Sequence, residues 1–229
     1  MEIFKDYTSE AYELMQKADA GDAQAQYLFA TYLLKNSDYS LRNDLTPETV
    51  ERAISYLKKS APQGFLAGIA AMELGDMYYY GRAVPVDYIE AVKWYRTAVQ
   101  MNNPPAAYYL GECAYYGKGM PVDKEAAIEW YLKAIKGYIR ALIRLGDIYR
   151  SGDFFAADPA LAYKLYTLVL DEEQELYKKY HRKTTEYEES EDRIAEMEKS
   201  GEQNAPPLPE EAIGELDARV REKLKNWTT

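Results

Sequence analysis

A set of markers returns along this chain every 35 or 36 residues, and that recurrence limits the fold more than any other feature. The first copy reads Leu74-Gly75-Asp76-Met77-Tyr78-Tyr79-Tyr80-Gly81, then Asp87, Ala91, Trp94-Tyr95 and Ala98. The second has Leu110-Gly111, Gly117, Asp123, Ala127, Trp130-Tyr131 and Ala134. In the third, Leu145-Gly146, Tyr149, Gly152, Asp158, Ala162, Leu165-Tyr166 and Val169 keep the register, with Leu165 standing where the others have Trp. Several markers recurring in step require one supersecondary unit repeated, each unit burying its apolar face against the next.

The chemistry of each marker specifies that unit. Apolar positions at helical spacing on both sides of a short Gly-containing loop give two helices joined by a turn. Gly75, Gly111 and Gly146 lie inside the first helix of each pair, where Gly costs about 1 kcal/mol against Ala; the cost is offset if the partner helix comes close. Gly81, Gly117 and Gly152 fall where that helix ends, the position that wants left-handed backbone. Asp87, Asp123 and Asp158 precede the second helices as N-caps, with Pro159 at the favoured first position and Glu90 at capping-box spacing from Asp87. Trp94, Tyr95, Trp130 and Tyr131 supply inter-helix surface. A weaker copy comes first: Ala25 to Ala30 matches the first half and Ala53 to Leu57 the second, with Asn36 at the helix end and an insertion near 37–45. Ser9 to Ala18 reads as a lone helix that caps the stack.

The pattern A-x-x-x-L-G-x-x-Y-x-x-G, a short V-x-x-D loop and then A-x-x-W-Y-x-x-A resembles the Sel1-like repeat family, relatives of the tetratricopeptide repeats. Ala70 to Ala98 carries it almost fully and Ala106 to Ala134 nearly so, with Ala114 in place of the usual aromatic. The resemblance covers roughly residues 9–170 and implies an all-α, right-handed α-solenoid of about four helix–turn–helix repeats, a scaffold or adaptor with no chemistry of its own. The repeats are expected near 22–64, 68–103, 104–138 and 139–170, followed by a helical C-terminal extension, 171–229.

That extension differs in composition. It holds 17 Asp/Glu and 10 Lys/Arg, whereas 20 of the 23 Tyr precede it. No Gly or Pro interrupts residues 159–199, so one long helix is expected there, with a break possible near Glu186 to Asp192. Ser200-Gly201 ends it, residues 204–209 form a Pro-rich linker, and Ile213, Leu216, Val220 and Leu224 mark the apolar stripe of a last helix. Three arrangements stay open: return of this helix onto the long one, a solvated acidic tail, or a dimerising coiled coil. Insertion of the tail into the repeat groove is disfavoured by like-charge repulsion.

Composition excludes several functions. A net charge of −10 lacks the electrostatic footprint of a nucleic-acid binder and argues against anionic membrane. The longest apolar run, Phe65 to Met72, is far short of the roughly 20 residues of a membrane helix. The acidic start of the chain is unlike a secretory signal, and a single Cys fits a reducing compartment, so the expected setting is cytoplasmic. With one His (His181, in a charged stretch) and one Cys (Cys113, read as a small buried filler), neither a zinc site nor a Cys/His dyad is expected. Gly117-Lys118-Gly119 lacks the ending of a phosphate loop. The chain is therefore read as non-enzymatic, without metal or cofactor, and as a monomer.

Binding is expected on the first helices, which line the concave side of such solenoids. With the interior Gly setting phase, the exposed positions select Tyr27, Met72, Asp76, Tyr79, Tyr108, Glu112, Tyr115, Asp147 and Arg150 as partner-binding residues. The position after the Gly reads Thr31, Asp76, Glu112, Asp147, an acidic ladder flanked by Tyr and Met. Tyr supplies amphipathic contact area at low entropic cost, and carboxylates steer a basic partner. A protein or peptide presenting Lys or Arg beside apolar groups would fit. Two other readings stand beside it: the Tyr pack between repeats and the acids are merely solvated, or the chain is an immunity-type protein that blocks a basic enzyme.

Overall fold

The computed structural model describes residues 9–35, 46–64, 66–180, 183–206 and 215–227, and among these the chain is helical and turn, without strands. The insertion 37–45, Asn36, His181 and Ile213 lie outside the described residues. Two compact units form, Met1–Val122 and Asp123–Thr229. They divide in the loop of the third repeat, whereas the composition changes near Asp171.

The first unit holds α1 (Ser9–Asp19), α2 (Ala23–Lys35), α3 (Pro47–Ser60), α4 (Ala67–Tyr80), α5 (Tyr88–Gln100) and α6 (Pro104–Tyr116). Helix α1 is the expected cap and packs on α2; α2 pairs with α3 and α4 with α5, while α3 meets α4 and α5 meets α6. The second unit holds α7 (Lys124–Ala134), α8 (Arg140–Ser151), α9 (Pro159–Tyr180), α10 (Thr185–Ser200) and α11 (Glu215–Trp227), with α8 paired to α9.

Local chemistry sets the helix ends where the sequence places them. Asp87 accepts hydrogen bonds from the Ile89 and Glu90 amides at 3.0 Å, Asp123 from Ala126 at 2.9 Å and Asp158 from Leu161 at 2.9 Å. Glu90 pairs with Lys93 at 2.5 Å. Gly81 and Gly152 end α4 and α8 in left-handed backbone, φ 69° at each.

The interior glycines have a closer role. A Cβ on Gly75 would lie 2.4 Å from the Tyr95 ring, and one on Gly146 would lie 2.5 Å from the Tyr166 ring. The glycine thus lets a whole aromatic face lie on the backbone of its partner helix. Tyr95, Tyr131, Tyr149 and Tyr166 are all fully buried, whereas Trp94 and Trp130 are only half-buried. Of the Trp-Tyr pair, it is the Tyr that enters the core. Trp stays at the surface, with Lys133 standing 4.2 Å over the Trp130 ring.

The long helix expected over 159–199 is two helices. Helix α9 ends at Tyr180, and Thr184 starts α10 by accepting the Tyr187 amide at 3.0 Å. A hydroxyl N-cap is a start signal that the absence of Gly and Pro did not reveal. Helix α10 folds back against α9 and α8, ends at Gly201 (φ 80°) and continues into a 3₁₀ turn, Glu202–Asn204. Helix α11 buries Val220 and Leu224, lies against α7 and also faces α9, whose N-cap Asp158 pairs with Arg221 at 2.8 Å, while α10 packs on α9 as well.

If Tyr166 rests on a bare backbone at Gly146, Gly146→Leu should lower stability. Overpacking costs roughly 1–3 kcal/mol, and the better helix propensity of Leu offsets only part of it. A urea unfolding midpoint that is unchanged or raised would show that the ring does not lie there.

Candidate functional site

The ladder carboxylates and the interior glycines belong to one device. Because Gly75 admits the Tyr95 ring, the phenol reaches the next residue, and its hydroxyl donates to Asp76 Oδ1 at 2.9 Å. The fourth repeat repeats the geometry: Tyr166 donates to Asp147 Oδ1 at 2.9 Å beside Gly146. A buried hydroxyl without an acceptor would be costly, so the acid's first duty is to the core. The signal is present in the sequence as a constant spacing of 19 between ladder acid and Tyr (Asp76 to Tyr95, Asp147 to Tyr166).

Burial has electrostatic consequences. The Asp76 carboxyl is pushed up from an ordinary 3.8 to about 6, chiefly by desolvation, against the lowering effects of the Tyr95 hydroxyl and of Arg82. Arg82 stands 3.7 Å from its second oxygen. Desolvation and the neighbouring carboxylate also push the Tyr95 phenol far upward. Cys113 is fully buried, and desolvation raises its thiol to about 12, which makes it the inert filler the sequence suggested.

The other expected site residues of the first unit separate by exposure. Tyr79 is half-buried at the centre of an aromatic cluster, 4.9 Å from Tyr80, 5.4 Å from Tyr88 and 5.6 Å from Tyr109, measured between ring centroids. Lys118 donates to the Tyr79 hydroxyl at 2.8 Å, and its ammonium stands over the rings of Tyr79, Tyr88 and Tyr116. Tyr27, Met72 and Glu112 are half-buried. Burial, then the nearby Glu73, raises the Tyr27 phenol. Tyr108 and Tyr115 are buried and offer little surface. Ile69, Tyr80 and Tyr116 expose 45%, 46% and 53% of their surface, the apolar edge of this face.

In the fourth repeat the same positions already have partners within the unit. Arg193 of α10 donates to Asp147 at 2.7 and 3.2 Å. Arg150 donates to Glu202 at 2.8 Å and to Glu196 at 3.0 Å, while Arg140 holds Glu186 at 2.9 Å. The acidic extension therefore does pack against a groove-lining helix, contrary to the expectation from like-charge repulsion. The net charges of two segments count for less than the pairs formed at contact, and Arg140, Arg150 and Arg193 supply those pairs.

A faint sequence signal accounts for this. Ile194, Ala195 and Gly201 keep the spacing of Leu110, Gly111 and Gly117. Helix α10 is thus a degenerate first helix following the fourth repeat, with Glu196 at the ladder position. Its interior Gly has become Ala, which is where the pattern fades.

Among the described residues, no cluster of His, Cys, Asp and Glu could hold a metal ion, and no helix is long and apolar enough to cross a membrane.

The Sel1 repeat model matches residues 23–65, 68–103, 104–137 and 139–168. A Sel1 repeat protein from Oxalobacter formigenes is similar in structure, with a TM-score of 0.66 and 24% identity over 97% of this chain and 81% of that one. A protective antigen present in uropathogenic Escherichia coli strains, displaying an SLR fold, has a TM-score of 0.55 and 21% identity over 97% of this chain and 50% of its own. At these identities the likeness is one of fold. None of the curated proteins matches the chain in sequence.

Because the Asp76 carboxyl is raised when folded, the folded protein holds a proton between about pH 4 and pH 6 that the unfolded chain has lost. Stability should therefore fall as pH rises through that window. Asp76→Asn keeps an acceptor for Tyr95 and removes the ionisation, so the variant should gain on wild type from pH 4 to pH 7, by up to about 3 kcal/mol. Urea unfolding at both pH values checks this; a difference independent of pH would remove the buried carboxyl as its source.

Proposed function

Since the chain belongs to the Sel1 repeat family, whose repeats generally serve as protein–protein interaction scaffolds, we propose that α2, α4 and α6 hold a partner protein or peptide carrying basic and apolar groups. One observation carries the reading. On the first helices of the Met1–Val122 unit, Ile69, Tyr80 and Tyr116 leave large apolar surface in water beside the half-buried Met72, Asp76 and Glu112. Exposed aromatic and aliphatic groups edged by carboxylates favour a partner that presents an apolar anchor next to Lys or Arg.

The role is read as non-catalytic and needs no cofactor. The contact would be made by Ile69, Met72, Tyr79 and Tyr80, with Tyr27 and Glu112 flanking them. Asp76 contributes its field more than its surface, because Tyr95 holds one oxygen. Asp147 and Arg150 are assigned to holding α10, and Tyr108 and Tyr115 to the core. A cytosolic setting accords with the single thiol.

The test is an Ile69→Asp/Tyr80→Ala variant at two exposed positions; because the Tyr80 ring also packs on Tyr79 and Tyr109, a modest fall in melting temperature is expected, and binding is read at a temperature where the variant is folded. A partner recovered from native lysate by the wild type should bind this variant about tenfold or more weakly, since two hot-spot side chains are removed. The wild-type interaction should also weaken with salt. A partner held equally well by the folded variant would move the site off this face.

A further inference from the structure

Tyr80 of α4 and Tyr109 of α6 meet hydroxyl to hydroxyl. The Tyr80 phenol donates to the Tyr109 oxygen at 2.8 Å, and the rings stand edge to face, 6.1 Å between centroids at 87°. That separation is the ordinary optimum for one hydroxyl bonding another. Neighbours hold both rings in place. Tyr109 lies stacked on the fully buried Tyr95, 5.3 Å away at 15°, with Tyr108 edge-on to it at 5.3 Å. Tyr80 has Tyr79 at 4.9 Å and the Arg82 guanidinium 4.8 Å over its ring.

This pair is also the part of the tyrosine cluster that solvent reaches. Tyr80 exposes 46% of its surface and Tyr109 is half-buried, whereas Tyr95 and Tyr108 are buried. Tyr79 is the other ring close to Tyr109, at 5.6 Å, but its hydroxyl is bonded to the Lys118 ammonium. A fixed positive charge there opposes loss of an electron from that phenol. The arrangement is particular to one step of the array. Tyr80 stands five residues after its interior glycine and Tyr109 two before the next one; the preceding step has Lys35 with Glu73 at these positions, and the following step Tyr116 with Arg144.

We propose that Tyr80 and Tyr109 form an oxidative coupling site, where a one-electron oxidant of the peroxidase class, fed with hydrogen peroxide, joins the rings as dityrosine and staples α4 to α6. Each phenol gives one electron to the oxidant and its hydroxyl proton to water. The two phenoxyl radicals form one bond between their ortho carbons, and each ortho hydrogen then moves to the ring oxygen to restore a phenol. One hydrogen peroxide takes up the two electrons and two protons and becomes two molecules of water. The product is an ortho,ortho-coupled biphenol, whose hydroxyls are neighbours, so the contact already present between Tyr80 and Tyr109 is the one that the product keeps. Rings held this way couple within one site instead of by diffusional encounter.

Treatment of the dilute full chain with peroxidase and limiting hydrogen peroxide tests this, read by dityrosine fluorescence and by mass. The monomer should lose the mass of two hydrogen atoms. Trypsin should then release residues 60–82 joined to residues 97–118, and fragmentation should place the link at Tyr80 and Tyr109. Tyr80→Phe and Tyr109→Phe keep both rings, and each should lower the intrachain product about tenfold or more, because the held pair is lost. Tyr79→Phe should leave it unchanged, as should Tyr12→Phe, which removes an equally exposed phenol from α1. No intrachain dityrosine in the folded monomer would overturn the proposal. So would a main product linked at another pair, or an equal loss with Tyr12→Phe.

Discussion

The contact between a tyrosine ring and a bare stretch of helix backbone underlies the rest of this structure. Tyr95 lies on Gly75 and Tyr166 on Gly146, each ring fully buried. A phenol can be buried there only if its hydroxyl finds an acceptor, and the next residue of the facing helix supplies a carboxylate at 2.9 Å in both cases. Glycine, tyrosine and acid are thus one arrangement. Removing the glycine displaces the ring, and removing the acid strands a hydroxyl in the core.

The same arrangement sets what each repeat can do with the rest of its first helix. In the second repeat the Asp76 carboxylate is shared with Arg82, and the adjoining Tyr79 and Tyr80 join a tyrosine cluster that includes Tyr109. Tyr80 remains half in water, so this edge is suited to a partner's apolar group. In the fourth repeat the equivalent carboxylate, Asp147, is taken by Arg193, and Arg150 stands where the second repeat has Tyr79. One device therefore supports an exposed aromatic edge in one unit and an internal ion-pair seam in the other.

That seam deals with the end of a repeat array, where one face of the last repeat would otherwise meet water. Helix α10 covers it as a partial copy of the unit it follows. Its carboxylates Glu186 and Glu196, with Glu202 of the 3₁₀ turn that follows, meet arginines of α8, and its own Arg193 meets an acid there. The pairs made by Glu186, Glu202 and Asp147 are partly buried and hydrogen-bonded, which makes them stronger than an exposed bridge such as Arg150–Glu196. Segment net charge predicted the opposite outcome because it averages over distances at which water screens, whereas the pairs form at contact.

Much of this was legible without coordinates. The 35- and 36-residue steps, the Asp caps and the glycine helix ends are local in sequence, and hydrogen bonds within a few residues enforce them. The Thr184 start of α10 was also written locally, but it was masked by a long interval without Gly or Pro. The partition of the site residues was not local. Whether Tyr79 or Tyr115, Asp76 or Asp147 is available to a partner depends on which side chains from other helices arrive beside it. The sequence by itself determined the repeat, its two helices and the positions that line the first of them. Only the tertiary structure decided that the acids serve buried tyrosines and that α10 takes the arginines of the fourth repeat. Burial and ion pairing are properties of side chains brought together from distant positions, and no periodicity along the chain encodes the distances between them.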